Sequence, residues 1–225
     1  DESNDCRALV PAAEGKAFCA GADFAAGGDF SERAAAGGDG RGTRPLQANS
    51  LYQEAVRLFR TSKPVIGAIH GAAVGGGLGL AMVPDLRIAC PEARFCANFT
   101  RLGFHPGFGL TVTLPEVIGK SAAALMFYTS RRIKGEEAHA MGLADVLVPQ
   151  DEVRATAIAL AGEIAENSPL GITATRATMR QGLAERVAAA TDHELAEQTR
   201  LRATEDFAEG VKAMGERRVP NFVRR

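Results

Sequence analysis

The sequence predicts an α/β fold in which a layered core of strands and helices is followed by a helical C-terminal part. Strand-like and helix-like patterns alternate as far as about residue 150, and only helical patterns follow. Most of the 25 glycines lie in the first 120 residues, which indicates that loops and strands are concentrated there. The 225 residues suffice for one large core with a small appended part. We therefore assign residues 1–150 to the α/β core and residues 151–225 to the helical region.

Strands are predicted from short runs of apolar, often β-branched residues. The predicted strands are Arg7–Val10, Val65–His70, Leu86–Ala89, Arg94–Ala97 and Asp145–Val148. The first of them begins almost at the start of the chain, where an unprotected strand is unusual in an α/β domain. We therefore expect that the domain has a further N-terminal segment that this chain lacks.

The helices have clearer periods than the strands. Apolar residues repeat at helical spacing in 51–59 and again in 153–164, where Asp151 is a suitable N-cap. Two or three more helices are expected within 169–215. The segment Ala25–Arg44 has no apolar period and contains repeated Gly-Gly pairs, so it is predicted to be a mobile surface loop that is compatible with a lid over a site.

Composition excludes several classes of function. The formal net charge is −1, so no basic surplus exists to bind nucleic acid. No apolar run approaches the roughly 20 residues of a membrane span, and the polar segment Asp1–Arg7 lacks the apolar core of a signal peptide. The four cysteines do not have metal-ligand spacing, so no metal site is predicted. They are typical of a reduced, cytoplasmic protein.

Two short loops, each following a strand-like segment, carry the residues best suited to stabilise a developing negative charge. The first loop is Lys16–Phe24, where small residues allow close backbone approach and Gly21 permits unusual dihedral angles. The second is His70–Met82, a glycine-rich run that leads into a helix. The first amides of a helix have no internal partner and carry partial positive charge. Such donors suit a thioester oxygen that becomes an enolate.

The glycine-rich run by itself has other interpretations. It is equally compatible with tight packing between a helix and a strand. A phosphate-binding P-loop requires Gly-Lys-Ser/Thr after the glycines, and none follows. A dinucleotide-binding fingerprint requires a glycine where the chain has Leu80, and Asp85 comes too early to close its second strand.

Taken together, Ala17–Asp23 and Gly71–Gly77 resemble the paired signatures of the crotonase superfamily, also called the enoyl-CoA hydratase/isomerase family. The resemblance continues in the same order over nearly the whole chain. The further stretches that carry it are Pro84–Ala89, Ala93–Phe95, Leu102–Gly109, Arg131–Pro149 and Glu205–Phe222. The combination of the two loops is far more specific than either loop alone.

The resemblance implies a crotonase-like core, a repeated ββα spiral, with a helical C-terminal trimerisation region. It implies a homotrimer or a dimer of trimers, an acyl-CoA substrate and no separate cofactor, because coenzyme A enters as part of the substrate. Family members normally begin with a strand hairpin and a helix, which this chain lacks. Ala20 and Gly76 match the oxyanion-hole positions. The implied substrate-binding residues are Lys16, Phe18, Ala20, Gly21, Ala22, Asp23, Phe24, Gly75, Gly76, Phe99 and Gly107.

The sequence departs from the family where the hydratases place two glutamates that activate water. Those positions fall on Gly79 and Phe99, neither of which transfers a proton. His105 is the best replacement as an acid or base, against the alternative of a structural histidine. Glu116 is a weaker candidate that is more typical of a solvated helix surface.

Three hypotheses follow for the function. In the first, the protein is an enzyme of the enoyl-CoA hydratase/isomerase type, a lyase or an isomerase, that acts through an enolate with altered proton-transfer groups. In the second, it binds acyl-CoA with little or no catalysis. In the third and most distant, the glycine-rich loops bind a nucleotide.

Overall fold

A computed structural model describes residues 3–22 and 48–225 of the chain, without the side chains of residues 48–53. The predicted loop Ala25–Arg44 lies outside the described residues, as do Asp23 and Phe24. The strands are β1 (Ala17–Cys19), β2 (Ile66–Ile69), β3 (Ala72–Val74), β4 (Leu86–Ala89), β5 (Arg94–Cys96), β6 (Arg132–Lys134) and β7 (Val146–Leu147). The α-helices are α1 (Ala48–Phe59), α2 (Gly76–Ala81), α3 (Leu110–Ile118), α4 (Lys120–Thr129), α5 (Gly135–Ala140), α6 (Val153–Ala165), α7 (Pro169–Met179), α8 (Leu183–Arg202) and α9 (Glu205–Gly215).

The strands form two sheets, between which the chain passes repeatedly. One sheet has the order β1-β3-β5-β6 and the other the order β2-β4-β7. Consecutive strands β2 and β3 belong to different sheets and are followed by α2, and β4 and β5 repeat this arrangement before α3. All pairs are parallel except β5 with β6 at the edge. The predicted α/β fold with a repeated ββα core is therefore confirmed.

The strand predictions differ in their outcome. The predicted strand Leu86–Ala89 is confirmed with the same bounds. The segments Val65–His70, Arg94–Ala97 and Asp145–Val148 also contain strands, which are shorter than predicted. The prediction of a strand at Arg7–Val10 is wrong, since only an isolated bridge joins Leu9 to Val65 there. The sequence analysis missed β1, β3 and β6, because each is only 3 residues long and has no run of β-branched residues.

The core lies between the sheets and the helices around them. Ile66, Ile69, Ile88 and Phe95 are completely buried in it. Helices α6 to α9 follow the last strand and form the predicted helical part. Asp151 is not the N-cap of α6, because a 3₁₀ turn over Gln150–Glu152 comes first. Among the described residues, no helix is both long and apolar enough to cross a membrane.

The long helix α8 places the C-terminal part against the core. It packs against α1 and against α3. Its residue Glu194 is completely buried, and its carboxylate accepts hydrogen bonds from the amides of Gly109 (2.8 Å) and Thr111 (3.1 Å). The Thr111 hydroxyl donates a third bond at 2.6 Å. Burial raises the pKa of Glu194, and the hydrogen bonds oppose this effect. Glu194 thereby satisfies the Thr111 amide in the first turn of α3 and the amide of Gly109, which precedes the helix.

Candidate functional site

A cavity of about 500 Å³ lies where the two glycine-containing loops meet α1, α8 and the segment after β5. This volume is within the range of small-molecule sites. The residues that line it are Cys19, Ala20, Gly21, Ala22, Glu54, Ala55, Leu58, Val74, Gly75, Gly76, Gly77, Leu80, Asn98, Phe99, Leu102, Phe104, Gly107, Phe108, Leu195, Gln198 and Arg202. Most of this surface is apolar, with few polar side chains.

The first loop is pressed directly against the second. Gly21 has φ +79°, and a Cβ added there would lie 2.5 Å from the carbonyl oxygen of Val74 and 3.6 Å from the amide nitrogen of Gly76. A Cβ added at Gly77 would lie 1.9 Å from the carbonyl oxygen of Cys19. Only glycine permits this approach of two backbones. The loops therefore form one continuous wall, which we call the amide wall and define as Ala20, Gly21 and Gly75–Gly77.

The amides of the second loop are oriented by the start of α2. Gly75 precedes the helix at φ +56°, and its amide donates to the carbonyl of Cys96 at 2.9 Å. The amides of Leu78 and Gly79 donate back to the Gly75 carbonyl at 3.0 and 3.2 Å. Gly76 is the first residue of the helix, where an amide has no intrahelical acceptor. A Cβ added at Gly76 would meet no heavy atom within 4 Å, so this position borders open space.

The side of the cavity beyond the amide wall is closed by aromatic rings. A Cβ added at Gly79 would lie 2.5 Å from Cβ and 2.6 Å from Cγ of Phe108. Phe108 itself has φ +64°, a conformation that side-chain-bearing residues rarely adopt. The ring of Phe99 packs edge-on against Phe104 with centroids 5.5 Å apart. We call Phe99 and Phe108 the aromatic floor, since both line the cavity, whereas Gly79 does not. Phe108 leaves no room for a side chain at position 79, and the floor offers no proton-transfer group.

The carboxylate of Glu54 is the only one among the described residues that line the cavity. Glu54 belongs to α1, and its side chain is 52% exposed. Its two oxygens accept hydrogen bonds from Arg57 one turn later, at 2.9 and 2.7 Å. This carboxylate is therefore at the rim, in contact with solvent. Since the helical pattern of 51–59 indicates only which residues pack inward, the sequence analysis did not select Glu54.

His105 is not among the lining residues. Its ring nitrogen Nδ1 lies 2.8 Å from the carbonyl oxygen of Pro106, and its ring packs edge-on against His193 at 5.9 Å. Only its neighbours Phe104 and Gly107 line the cavity. The structure therefore does not bring the imidazole together with the amide wall, and its role as acid or base stays a prediction. Glu116 forms an ion pair with Arg186 on the surface and does not line the cavity.

The other predicted site residues divide into three groups. The cavity is lined by seven of them: Ala20, Gly21, Ala22, Gly75, Gly76, Phe99 and Gly107. Lys16 is exposed. Phe18 is buried in the core because side chains alternate along β1, so that Phe18 points away from the side that carries Cys19. Neither of these two lines the cavity. Asp23 and Phe24 lie outside the described residues.

The sequence analysis missed the contribution of α8. Leu195, Gln198 and Arg202 of this helix line the cavity, although they follow the two loops by more than 100 residues. Their spacing of three and four residues places them on one helix face. Nothing in their local sequence distinguishes that face from the other polar positions of α8. Among the described residues there is no cluster that could hold a metal ion.

The chain is similar to known proteins over its full length. The sequence model of the family described as Enoyl-CoA hydratase/isomerase matches residues 1–225. A crotonyl-CoA hydratase of Syntrophomonas wolfei is 32% identical over 216 residues, which cover 96% of this chain and 79% of that protein. A 2,3-dehydroadipyl-CoA hydratase of Escherichia coli is 35% identical over 88% of this chain and 76% of that protein.

Solved structures similar to this chain belong to the same kind of protein as these relatives. A carnitinyl-CoA hydratase from Mycobacterium avium superposes with a TM-score of 0.82 at 29% identity, over 99% of this chain and 83% of that one. An enoyl-CoA hydratase/isomerase from Pseudoalteromonas atlantica superposes with a TM-score of 0.83 at 25% identity, over 99% and 84%. The two-sheet core, the paired loops and these similarities lead to one conclusion. The chain belongs to the enoyl-CoA hydratase/isomerase family, the crotonase superfamily.

Proposed function

We propose that the protein binds an acyl-CoA thioester and stabilises its enolate with the backbone amides of Ala20 and Gly76. The single observation that carries this proposal is the contact between the two loops, which places both residues on one wall of the cavity. Two preorganised amides at a developing negative charge are the usual means of stabilising such an intermediate. The family membership supports the same assignment.

The proposed chemistry starts with the thioester carbonyl oxygen between the two amides. A base removes a proton from the α-carbon, the electron pair of that C–H bond forms the C=C bond of the enolate, and the negative charge moves to the oxygen. Return of a proton to the α-carbon, or to a conjugated carbon of the acyl chain, completes an exchange or an isomerisation. Loss of a leaving group from the neighbouring carbon completes a lyase reaction.

In this proposal, protons are not transferred by the two glutamates that activate water in the hydratases. The resemblance implies that Gly79 and Phe99 are the counterparts of those glutamates. Phe108 fills the space beside Gly79. Addition of water between two carboxylates is therefore not the reaction that the cavity favours. Glu54 supports proton transfer best, because it lines the cavity, whereas the His105 ring is turned toward His193. An acid or base of this kind contributes about 10²- to 10⁴-fold to a rate.

A second candidate function is acyl-CoA binding with little catalysis. The observation that favours it is the aromatic floor, which offers apolar contact to an acyl chain and no proton-transfer group. The amide wall argues against it, since a binder has no need to stabilise an enolate more strongly than a thioester.

The proposal extends to assembly and location. We propose a homotrimer or a dimer of trimers in the cytoplasm, with no partner other than the acyl-CoA. Support for association comes from large apolar side chains that are exposed in the single chain, among them Leu170 and Met179 on α7 at 82% each. The mass in solution, measured by sedimentation or light scattering, tests this part separately.

One panel of ligands separates the two candidate functions. Saturated, 2-enoyl, 3-oxoacyl and branched acyl-CoAs are tested for binding and, in deuterated water, for exchange of the α-carbon protons above the rate without protein. Exchange reports enolate formation whatever the final product. Binding together with exchange supports the enzyme, binding of every thioester without exchange supports the binder, and absence of all binding contradicts both.

A further inference from the structure

One polar side chain in the lining of the cavity makes no hydrogen bond within the described part of the chain. Four lining residues have a charged or carboxamide side chain, and three of them, Glu54, Gln198 and Arg202, make hydrogen bonds to other residues. The fourth is Asn98, whose side chain has no such bond to any described residue. A carboxamide has an acceptor oxygen and two donor hydrogens, so this group is left for a ligand to satisfy.

Asn98 is placed beside the amide wall by the turn that follows β5. The amide of Gly75 donates to the carbonyl of Cys96 at 2.9 Å, which ties the amide wall to the end of β5, two residues before Asn98. The Oδ1 atom of Asn98 lies 3.0 Å from the position that a Cβ would take at Gly75, and the Cζ atom of Phe99 lies 3.9 Å from the same position. The carboxamide therefore lies against the amide wall, where the aromatic floor begins.

Covalent geometry limits the distance between Asn98 and the proposed oxyanion position. Gly75 and Gly76 are consecutive, so the contact at Gly75 keeps the Oδ1 atom of Asn98 at most about 7 Å from the Gly76 nitrogen. Hydrogen bonds span about 3 Å each, so an oxygen bound to Gly76 and an oxygen bound to Asn98 are close neighbours on one ligand. The carboxamide therefore faces the part of an acyl chain next to the thioester rather than its far end.

The chemistry of a carboxamide in an apolar cavity selects among acyl groups. The α-carbon has to stay open to the base that removes its proton, so C3 is the first acyl carbon that can carry a group toward Asn98. A hydroxyl or carbonyl oxygen on C3 pairs with the carboxamide, whereas a methylene at C3 removes water from it without replacing the hydrogen bond. Asn98 therefore favours an acyl chain with an oxygen on C3 over the same chain without it.

We infer that Asn98 is a specificity-determining residue that binds an oxygen on C3 of the acyl chain, so that the cavity selects acyl-CoA thioesters with a hydroxyl or carbonyl group at this carbon. The inference rests on the proposed function, in which the thioester oxygen of the same ligand lies at the amides of Ala20 and Gly76. It adds a contact to the acyl chain that neither loop specifies.

The test compares three acyl-CoAs of equal chain length that differ only at C3: the saturated thioester, its 3-hydroxy derivative and its 3-oxo derivative. Binding of each to the full chain is measured by calorimetry. We expect the oxygen-bearing ligands to bind about 3- to 10-fold more tightly than the saturated one, since one hydrogen bond between neutral groups has this effect. A preference for only one of the two identifies the oxygen function that is taken. Equal binding of all three ligands overturns the inference without any variant.

Variants at position 98 connect the preference to the carboxamide. Asn98→Leu keeps the approximate size and removes the hydrogen bonds, so it is expected to lose the preference while it binds the saturated ligand at least as tightly. Asn98→Asp has an acceptor but no donor when ionised, so it is expected to keep the preference for the 3-hydroxy ligand and to lose that for the 3-oxo ligand. The matched control is Asn167→Leu, because Asn167 is exposed after α6 and donates to the carbonyl of Glu163 at 3.0 Å. The control is expected to bind all three ligands like the unaltered chain.

Two further outcomes separate this inference from the proposed function. If Asn98→Leu weakens the binding of all three ligands by the same factor, the side chain only supports Gly75 and the inference is wrong, while the proposed function stands. If none of the thioesters binds to the unaltered chain, the proposed function fails and the inference fails with it.

Discussion

The amide wall and the aromatic floor face the same cavity but use different parts of the polypeptide. The amide wall consists of backbone donors whose direction is fixed by glycine contacts, such as Gly77 against Cys19. The floor consists of side chains, and neither Phe99 nor Phe108 carries a carboxylate. A backbone site survives many substitutions around it, whereas a side-chain site changes with one. The comparison teaches that two parts of one cavity are specified differently, the amide wall by backbone contacts between loops and the floor by single side chains.

The largest effect is expected from removing one donor of the amide wall. Gly76→Pro eliminates the amide N–H at the first position of α2, where proline is tolerated in helices. Exchange at the α-carbon is expected to fall by about 10²- to 10³-fold, the usual effect of losing one such donor. Isotope exchange followed by mass spectrometry measures it. Gly76→Ala is the control, since it keeps the N–H and its Cβ meets no atom within 4 Å. Equal losses in both variants would assign the effect to the shape of the wall.

A smaller loss of exchange is expected from a change at the rim of the cavity, where Glu54 belongs to neither the amide wall nor the aromatic floor. Glu54→Gln removes the carboxylate that lines the cavity and keeps the size of the side chain. We expect exchange to fall by about 100-fold, at the low end for a general acid or base, because water reaches this half-exposed position. Binding of the thioester should change little. Arg57→Gln, which removes only the ion pair on the helix surface, is the control, and an unchanged rate in Glu54→Gln rules the carboxylate out.

The floor is tested through the contact between Gly79 and Phe108. Gly79→Ala is expected to lower the free energy of unfolding by about 1–3 kcal/mol, since its Cβ would overlap with Phe108. In a Phe108→Gly background the same substitution should cost less than about 0.5 kcal/mol, because both the ring and its Cβ are gone. Urea unfolding of the four chains gives the coupling free energy. Additive effects would show that position 79 has room for a side chain.

The smallest effect is expected at His105. Its ring contacts Pro106 and His193 and does not line the cavity, so His105→Ala should change exchange by less than about threefold. The imidazole was predicted to be the acid or base, and a large loss of exchange with unchanged thioester affinity would establish that role. His193→Ala serves as the control for the ring pair, because it removes the partner and keeps His105.

The amide wall could be predicted from the sequence because the two loops together resemble the paired signatures of the family, and the resemblance implies Ala20 and Gly76 as the oxyanion-hole positions. Ala20 and Gly76 line the cavity as expected. The rest of the lining depends on tertiary packing. The helical pattern of α8 indicates a helix but not which polar residue faces inward, so Gln198 and Arg202 were missed. Phe18 shows the opposite error, since its place in a binding loop did not reveal that strand alternation turns it into the core.

Glu194 shows that tertiary packing also limits what can be predicted from the sequence about the core. An acidic residue within a charged helix segment is typical of a solvated surface, yet this carboxylate is completely buried against the amides of Gly109 and Thr111. Its partners lie more than 80 residues earlier in the chain. No local pattern links them, so the turn that holds Phe108 over Gly79 could be found only in the folded structure.

The central claim, that the amide wall stabilises an enolate, is tested most directly with a bound 3-oxoacyl-CoA, whose enolate absorbs ultraviolet light and needs no protein acid or base to form. The pH at which the enolate appears is compared between free ligand, ligand bound to the unaltered chain and ligand bound to Gly76→Pro. We expect the unaltered chain to raise the enolisation constant by about 100-fold or more, and Gly76→Pro to lose most of that gain. A bound ligand that enolises like the free one in both chains would contradict the claim.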